Sequence, residues 1–510
     1  MTLDDPAEKG FTTDQEEQPA ATDTTQEQTR ENLTPDTLAA EPQTATVVSP
    51  AEADLSVLDV RPGPGRPREY HFPRFERFTL SNGLNVVHAN LPGRALLAAQ
   101  VLLADGGWSE PADLGGVTVL TGRAMPEGTR QRDATEFIDA TERLGAEVHA
   151  TATWETLSVS LEVPRSYFEP ALALLAEMLV QPAFPAADVE RLRDERLNDL
   201  MQALADPGRR AERVFPETIY DAATPYSRPL GGVRETVEKL DRDAVAARHA
   251  QLLDASRATL VVCGDLAGID LERIAQQSLG EIPPNAGGVG GGSAEARPSA
   301  APKVVLVDRP GSPQSELRIG HVGVPRKTPD FHVLAVLNAI LGGTFNSRLN
   351  RVIREELGYT YGIHSSFDMR RNAGPFAIRT AVESAVTVPA LLEVMRIVRQ
   401  FLNAEVENDE LMAARDYLVG VFPLRFESAG QVASALGGLI VFGLPDDELD
   451  RYRPQVAAVS GHDILSAATR HIRPAELSIV IIGDAAQVEA PLRDAGLGEV
   501  VLVPFDAAAA

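Results

Sequence analysis

The sequence predicts a protein of mixed helix and strand built as two homologous halves. Three observations carry this expectation. The order of strands and helices in the first half recurs in the second. Two apolar strands, ATLVVCGDL (258–266) and ELSIVIIGDA (476–485), end alike in Gly264-Asp265 and Gly483-Asp484. Between the halves lies NAGGVGGGSAEARPSAAP (285–302), a Gly, Ala, Ser and Pro stretch with no core pattern, read as a flexible linker. A range of about 100–200 residues per domain suggests two to four domains for the 510-residue chain, and two α/β units of about 210 residues each explain the repeated order.

Residues 1–74 come first, rich in Thr, Gln, Glu, Asp, Pro and Ala and nearly free of aromatics. Such a segment buries too little apolar surface to offset its ordering entropy, and it is expected to be a disordered tail. Order is expected from about Phe75. FTLSNGLNVVHANLP (78–92) alternates apolar and polar residues around Ser81-Asn82-Gly83, a hairpin signal. Residues 97–108 read as a buried strand, 115–125 and 133–143 as helices, and 147–153 and 156–163 as strands. Helices follow near 165–180 and 186–205, punctuated by Pro182 and Pro185, then a helix near 242–254 and the strand 258–266. After the linker the pattern repeats. KVVLVDRP opens a strand, and 315–325 answers the strand 97–108. Helix 330–342 answers 115–125, and strands 361–369 and 375–382 answer 147–163. Helices follow at 385–403 and 407–420 before the strand 476–485. The domains are thus expected at 75–284 and 303–508.

Composition narrows the function. A net charge of −26 argues against nucleic acid, whose phosphates need a basic surface, and against anionic membrane surfaces. The N-terminus has no basic region followed by an apolar one, and no run of about eighteen apolar residues occurs, so a cytoplasmic protein is expected. Cys263 is the only cysteine, which excludes an intrachain disulfide and a thiolate metal cluster. A zinc site on a helix needs two imidazoles one turn apart. The nine histidines (71, 88, 149, 249, 321, 332, 364, 462 and 471) include no pair four residues apart.

Residues 115–129 read GGVTVLTGRAMPEGT. With Asn82-Gly83-Leu84, PAFPAADVERLRDE (182–195), Pro225-Tyr226, Leu230-Gly231, LGGTFNSRLNRVIREELGYTYG (341–362), PLRFES (423–428) and FGLPDDELDRYR (442–453), this order of motifs resembles the pitrilysin/insulinase, or M16, peptidases over residues 75–505. The resemblance implies an α+β fold of two homologous LuxS/MPP-like domains, each a mainly antiparallel sheet backed by helices, arranged as a clam shell. In that family an H-x-x-E-H helix stands just before a Gly-Thr pair. Aligned on Gly128-Thr129, its five positions are Val119, Leu120, Thr121, Gly122 and Arg123, so both histidines and the general-base glutamate are replaced. The third ligand of the family, about 76 residues further on, falls at Asp199. Arg123 is a candidate to fill the vacated position with a fixed charge, paired with Asp199 or another carboxylate.

A second family site is intact by resemblance. Active pairs use an Arg and a Tyr seven residues later, in the C-terminal half, to hold the substrate backbone and the developing oxyanion. Arg354 and Tyr361 have that spacing, with Arg354 expected at a helix end, Gly358 turning the chain and Tyr361 opening a strand. Tyr359 is the neighbouring tyrosine at the wrong spacing. Leu341-Gly342-Gly343-Thr344 is too short to equate with the glycine-rich loop of mitochondrial processing peptidase.

The resemblance therefore implies a non-catalytic, substrate-binding subunit with no metal of its own. It would form a heterodimer with a zinc-bearing M16 subunit and help to bind small unfolded peptides. A structural scaffold resembling respiratory-complex core subunits is the alternative, and an autonomous hydrolase with a relocated metal site is the third reading.

Overall fold

Local chemistry explains where the elements begin and end. The computed structural model of the chain describes residue 65 and residues 68–284 and 295–504. The expected tail lies outside these residues at 1–64 and at 66 and 67, and the expected linker does so at 285–294. In the first half the order is β1 (Glu76–Thr79), β2 (Asn85–Asn90), β3 (Leu96–Ala104), α1 (Val117–Ala124), α2 (Ala134–Glu142), β4 (Glu147–Ala152), β5 (Thr156–Pro164), α3 (Phe168–Val180), α4 (Ala186–Ala205), α5 (Pro207–Ile219), α6 (Arg234–Val237), α7 (Arg242–Leu252), β6 (Ala258–Gly264) and α8 (Leu271–Leu279). The second half runs β7 (Val304–Asp308), β8 (Gln314–Val322), α9 (Phe331–Asn338), β9 (Ile363–Phe367), β10 (Pro375–Glu383), α10 (Thr387–Phe401), α11 (Asn408–Val421), α12 (Ala429–Phe442), α13 (Glu448–Ala458), α14 (Gly461–His471), β11 (Ser478–Gly483), α15 (Ala485–Asp494) and β12 (Val500–Val503). Gly83, at φ +90, makes the turn between β1 and β2. Asp133 caps α2 reciprocally with Glu136, which fixes its start.

The two sheets repeat each other. Their strand orders are β1-β2-β6-β3-β5-β4 and β12-β7-β11-β8-β10-β9. In each, one inner pair is parallel (β2 with β6, β7 with β11), and the next three strands run antiparallel. Only the outermost strands differ, since β1 pairs antiparallel with β2 and β12 parallel with β7. The fold is α+β with mostly antiparallel sheets, as expected.

Each half lends a helix to the other. One face of the first sheet packs on its own α3, α7 and α8. Its other face is covered by α12 from the second half, with Val432, Ala433, Leu436 and Leu439 against Val87, Ala98, Leu102 and Val261. Gly437 lets α12 approach closely, because a Cβ there would lie 3.2 Å from Gln100 Oε1. Reciprocally, α5 places Phe215 and Ile219 on the free face of the second sheet, against Val305, Val322, Ala377 and Val480. The central strand β6 is buried along its whole length because it is covered on both faces.

Three boundaries differ from the sequence expectation. Tyr70 and Phe72, inside the expected tail, pack against α12 and its neighbours. Phe72 is 5 % exposed, and its ring meets Phe426 at 5.1 Å. The strand expected over 97–108 ends at Ala104, where Asp105 takes φ 103 and the chain turns into a short 3-10 segment at Gly107–Ser109. Helix 330–342 is α-helical only to Asn338 and continues as a π-helix over Ala339–Gly343.

Candidate functional site

The helix expected to answer the zinc motif is α1. It begins after Gly116, whose φ of 96 suits only glycine, and its first turn is held by Glu110, which accepts from the N–H groups of Gly116 and Thr118 at 2.9 and 2.7 Å. Burial pushes the Glu110 carboxyl upward, and these hydrogen bonds oppose the shift. Arg248 of α7 bonds Thr118 Oγ1 and the Gly106 carbonyl, locking α1 to α7. This end of α1 is built for rigidity.

The side chains at the motif positions offer no metal ligand. Val119 is half-buried and Arg123 exposed on the same helix face. Gly122 is buried, and a Cβ there would sit 3.0 Å from Leu157 Cδ1, so the sheet has closed into the space a larger side chain would need. Arg123 donates to Glu195 of α4 at 2.8 Å rather than to Asp199. Asp199 is claimed by Arg196 at 2.6 Å and Arg209 at 2.9 Å. Hydrogen bonding from Arg209, with Arg196 adding, holds the Asp199 carboxyl below its ordinary value. Arg191 pairs with Glu127 at 2.6 Å and with Glu195 at 2.7 Å. The region is thus a lattice of arginine–carboxylate pairs. Among the described residues no group of three His, Cys, Asp or Glu is placed to hold a metal ion. Arg191 and Glu195 pair one helical turn apart on α4, whereas Arg209 reaches Asp199 from the next helix, a contact sequence reasoning missed.

Arg354 and Tyr361 lie in the other half. The helix carrying Arg354 follows the loop after α9 and becomes π-helical over Asn350–Glu356. Leu357 N–H bonds the Val352 carbonyl five residues back, at 3.0 Å, and Gly358 at φ +67 ends the helix. Tyr361 precedes β9 by two residues instead of opening it, and it is 94 % exposed. Thr360 explains the difference: its Oγ1 donates to the Ala381 carbonyl at 2.7 Å and accepts the Gly362 N–H at 3.1 Å, holding this segment as a turn. Tyr359, by contrast, is packed on the second-half core.

Asn350 ties the two segments together, and sequence reasoning missed it. It is buried, and its amide donates to the carbonyls of Thr344 and Ile363 and to Ser347 Oγ at 2.7–3.2 Å. Its Oδ1 accepts the Ile363 N–H at 3.3 Å. One side chain thereby fixes the loop before the Arg354 helix and the strand after Tyr361. Arg354 itself has a half-exposed side chain, stacked 4.3 Å above the Phe345 ring, with Glu355 4.0 Å away.

Comparison with known proteins places this architecture. The insulinase (peptidase family M16) model matches residues 85–231, and the model described as the peptidase M16 inactive domain matches 239–418. A Helicobacter pylori protein named non-peptidase homolog YmxG is 24% identical over 381 residues, 72% of this chain and 84% of its own length. An uncharacterized zinc protease of Streptomyces coelicolor is 24% identical over 434 residues, 84% of this chain and 92% of its own. Among solved structures, a peptidase M16 inactive domain from Pseudomonas fluorescens is 25% identical with a TM-score of 0.73, covering 80% of this chain and 98% of that one. The two model matches contain α1 and Asp199 in the first half and Arg354 and Tyr361 in the second. The chain is a member of the M16 peptidase family.

Proposed function

We propose that this chain is the substrate-binding subunit of a heterodimeric M16 zinc peptidase, completing the peptide chamber for a zinc-bearing partner subunit. The partner would supply the metal-bound hydroxide. This chain would supply donors: the Arg354 guanidinium and the Tyr361 hydroxyl, both suited to an amide carbonyl gaining negative charge. The observation that carries this reading is the contrast between the two sites. At α1 the charged side chains are spent on one another, whereas among the described residues Arg354 makes no hydrogen bond to a carboxylate and Tyr361 stands almost wholly in solvent. A 94 % exposed tyrosine on a braced turn leaves its ring and hydroxyl available to a bound peptide.

The first sheet adds a second support. Among the described residues its outer strand β4 pairs only with β5, which leaves its other edge open to pairing beside α1. An extended peptide can add to such an edge, with alternate side chains pointing to either face. The substrates consistent with this are small unfolded peptides.

The test is reconstitution. The purified chain alone is expected to carry no stoichiometric zinc and to cleave no peptide, while mixing with a zinc-bearing M16 subunit is expected to give a complex that hydrolyses a short fluorogenic peptide faster than that subunit alone. One tightly bound zinc in the isolated chain, with chelator-sensitive cleavage, would overturn the proposal.

A further inference from the structure

Phe345 is out of place by the usual rule for phenylalanine. It sits in the loop between the two π-helical segments, with 61% of its surface exposed. The loop is not loose. Thr344 Oγ1 donates to the Ala339 carbonyl at 2.9 Å, Ser347 N–H bonds the Thr344 carbonyl at 3.2 Å, and Asn350 grips both residues. The ring lines a pocket of about 240 Å³ with Ile340, Ala414 and Tyr417. Over it lies the Arg354 guanidinium, 4.3 Å from the ring centroid.

The other arginines of this helix lean more on carboxylates. Arg348 also lies over a ring, 4.9 Å from the Phe401 centroid, but its N–H groups are clamped by both oxygens of Glu410, at 3.0 and 2.6 Å. Arg351 has Glu356 at 3.9 Å. Nearby carboxylates are therefore engaged elsewhere, except Glu355, which is 4.0 Å from Arg354 and half-exposed. The distinction matters chemically. A carboxylate would hold the guanidinium by its N–H groups and cancel its charge. An aromatic face holds it through the π cloud and leaves the donors at its edge free.

We propose that Phe345 is a positioning residue for Arg354, a stacking platform that fixes the guanidinium while keeping its N–H groups available for a peptide carbonyl. This rests on the substrate-binding role of Arg354 proposed above. Loss of an exposed cation–π contact of this kind corresponds to about a two- to fivefold change in an equilibrium or rate.

The experiment uses the reconstituted complex and a short fluorogenic peptide, with Phe345→Leu, Phe345→Tyr, Arg354→Ala and the double variant Phe345→Leu/Arg354→Ala. Phe345→Leu is expected to lower kcat about two- to fivefold. Its affinity for the partner subunit and its KM should stay close to wild type. Phe345→Tyr restores the rate, and Phe345→Leu adds nothing once Arg354 is gone. Full activity of Phe345→Leu, an equal loss on the Arg354→Ala background, or loss of the complex would overturn the inference, the last marking Phe345 as a partner contact. Full activity of Arg354→Ala would sink the proposed function instead. The stacking itself is read in the isolated chain by NMR of arginine side chains, where the ring-current shift of Arg354 should vanish in Phe345→Leu and persist in Phe345→Tyr. An unchanged Arg354 signal in Phe345→Leu would refute the stacking directly.

Discussion

Replacing Phe215 by alanine tests the exchange of helices between the halves. Phe215 belongs to α5 of the first half but is buried to 1 % on the second sheet, among Val305, Val322, Ala377 and Val480. Its ring fills the space over Gly320, where a Cβ would come within 2.9 Å of Phe215 Cζ. Truncating a buried phenylalanine costs about 3–5 kcal/mol, and the upper part of that range is expected here, because Gly320 has no side chain to collapse into the cavity. That is a large share of the roughly 5–15 kcal/mol that stabilises a typical folded protein. Guanidinium unfolding can be followed by tryptophan emission, since Trp108 and Trp154 meet the Tyr226 ring in the same cluster, tilted and edge-on at 4.5 and 5.2 Å. Phe215→Ala should lower the midpoint for both halves together. A loss below about 1 kcal/mol would mean that α5 is not seated on the second sheet, since a surface truncation typically costs that little.

Other consequences follow from the same contacts. His321 is 3 % exposed, its Nε2 accepts the Arg473 backbone N–H at 3.2 Å, and its Nδ1 is left to donate to the Val322 carbonyl at 2.9 Å. Burial pushes its pKa down to about 4 from an ordinary 6.5. The unfolded chain therefore binds the proton more readily, so stability should be full above pH 6.5 and fall by about 3 kcal/mol as the pH drops toward 4. Denaturant midpoints of wild type and His321→Gln across this range would check it, and parallel curves would contradict it; burial lowers His249 and His332 in the same direction and adds to the background slope. Arg123→Ala breaks an exposed pair with Glu195 and should cost less than about 1 kcal/mol in thermal or chemical unfolding. A loss of several kcal/mol would show the α1 lattice to be a structural keystone.

Much of the fold was legible because its core strands are apolar runs bounded by turn residues. β6 and β11 announced themselves by composition, and the repeat of order around them pointed to twin sheets. The hairpin at Gly83 and the cap at Asp133 were readable for local reasons. What escaped was long-range. Helix α5 is an ordinary amphipathic segment and α12 a largely apolar one, and nothing in their periodicity says that each covers the other half's sheet. Phe72 was read as tail because its burial depends on α12, more than 350 residues away. At the candidate site, the replaced motif and the Arg354–Tyr361 spacing were visible in the sequence. The partners that shape them were not. Glu195 takes Arg123, Thr360 turns Tyr361 away from β9, and Asn350 and Phe345 set the frame for Arg354, all through tertiary contacts without a sequence signature.

The division of labour between subunits is tested most directly by Arg354→Ala and Tyr361→Phe in the reconstituted complex. Assembly is checked first by sedimentation, and kcat/KM is then measured on a short peptide. A lone oxyanion donor is worth about 10²–10³ in rate, and a donor that shares the charge with a metal should still be worth about tenfold or more. Each variant is therefore expected to assemble normally and to lose at least that factor, chiefly in kcat. Undiminished turnover in both variants would contradict a transition-state role and leave the chain a scaffold within the M16 family.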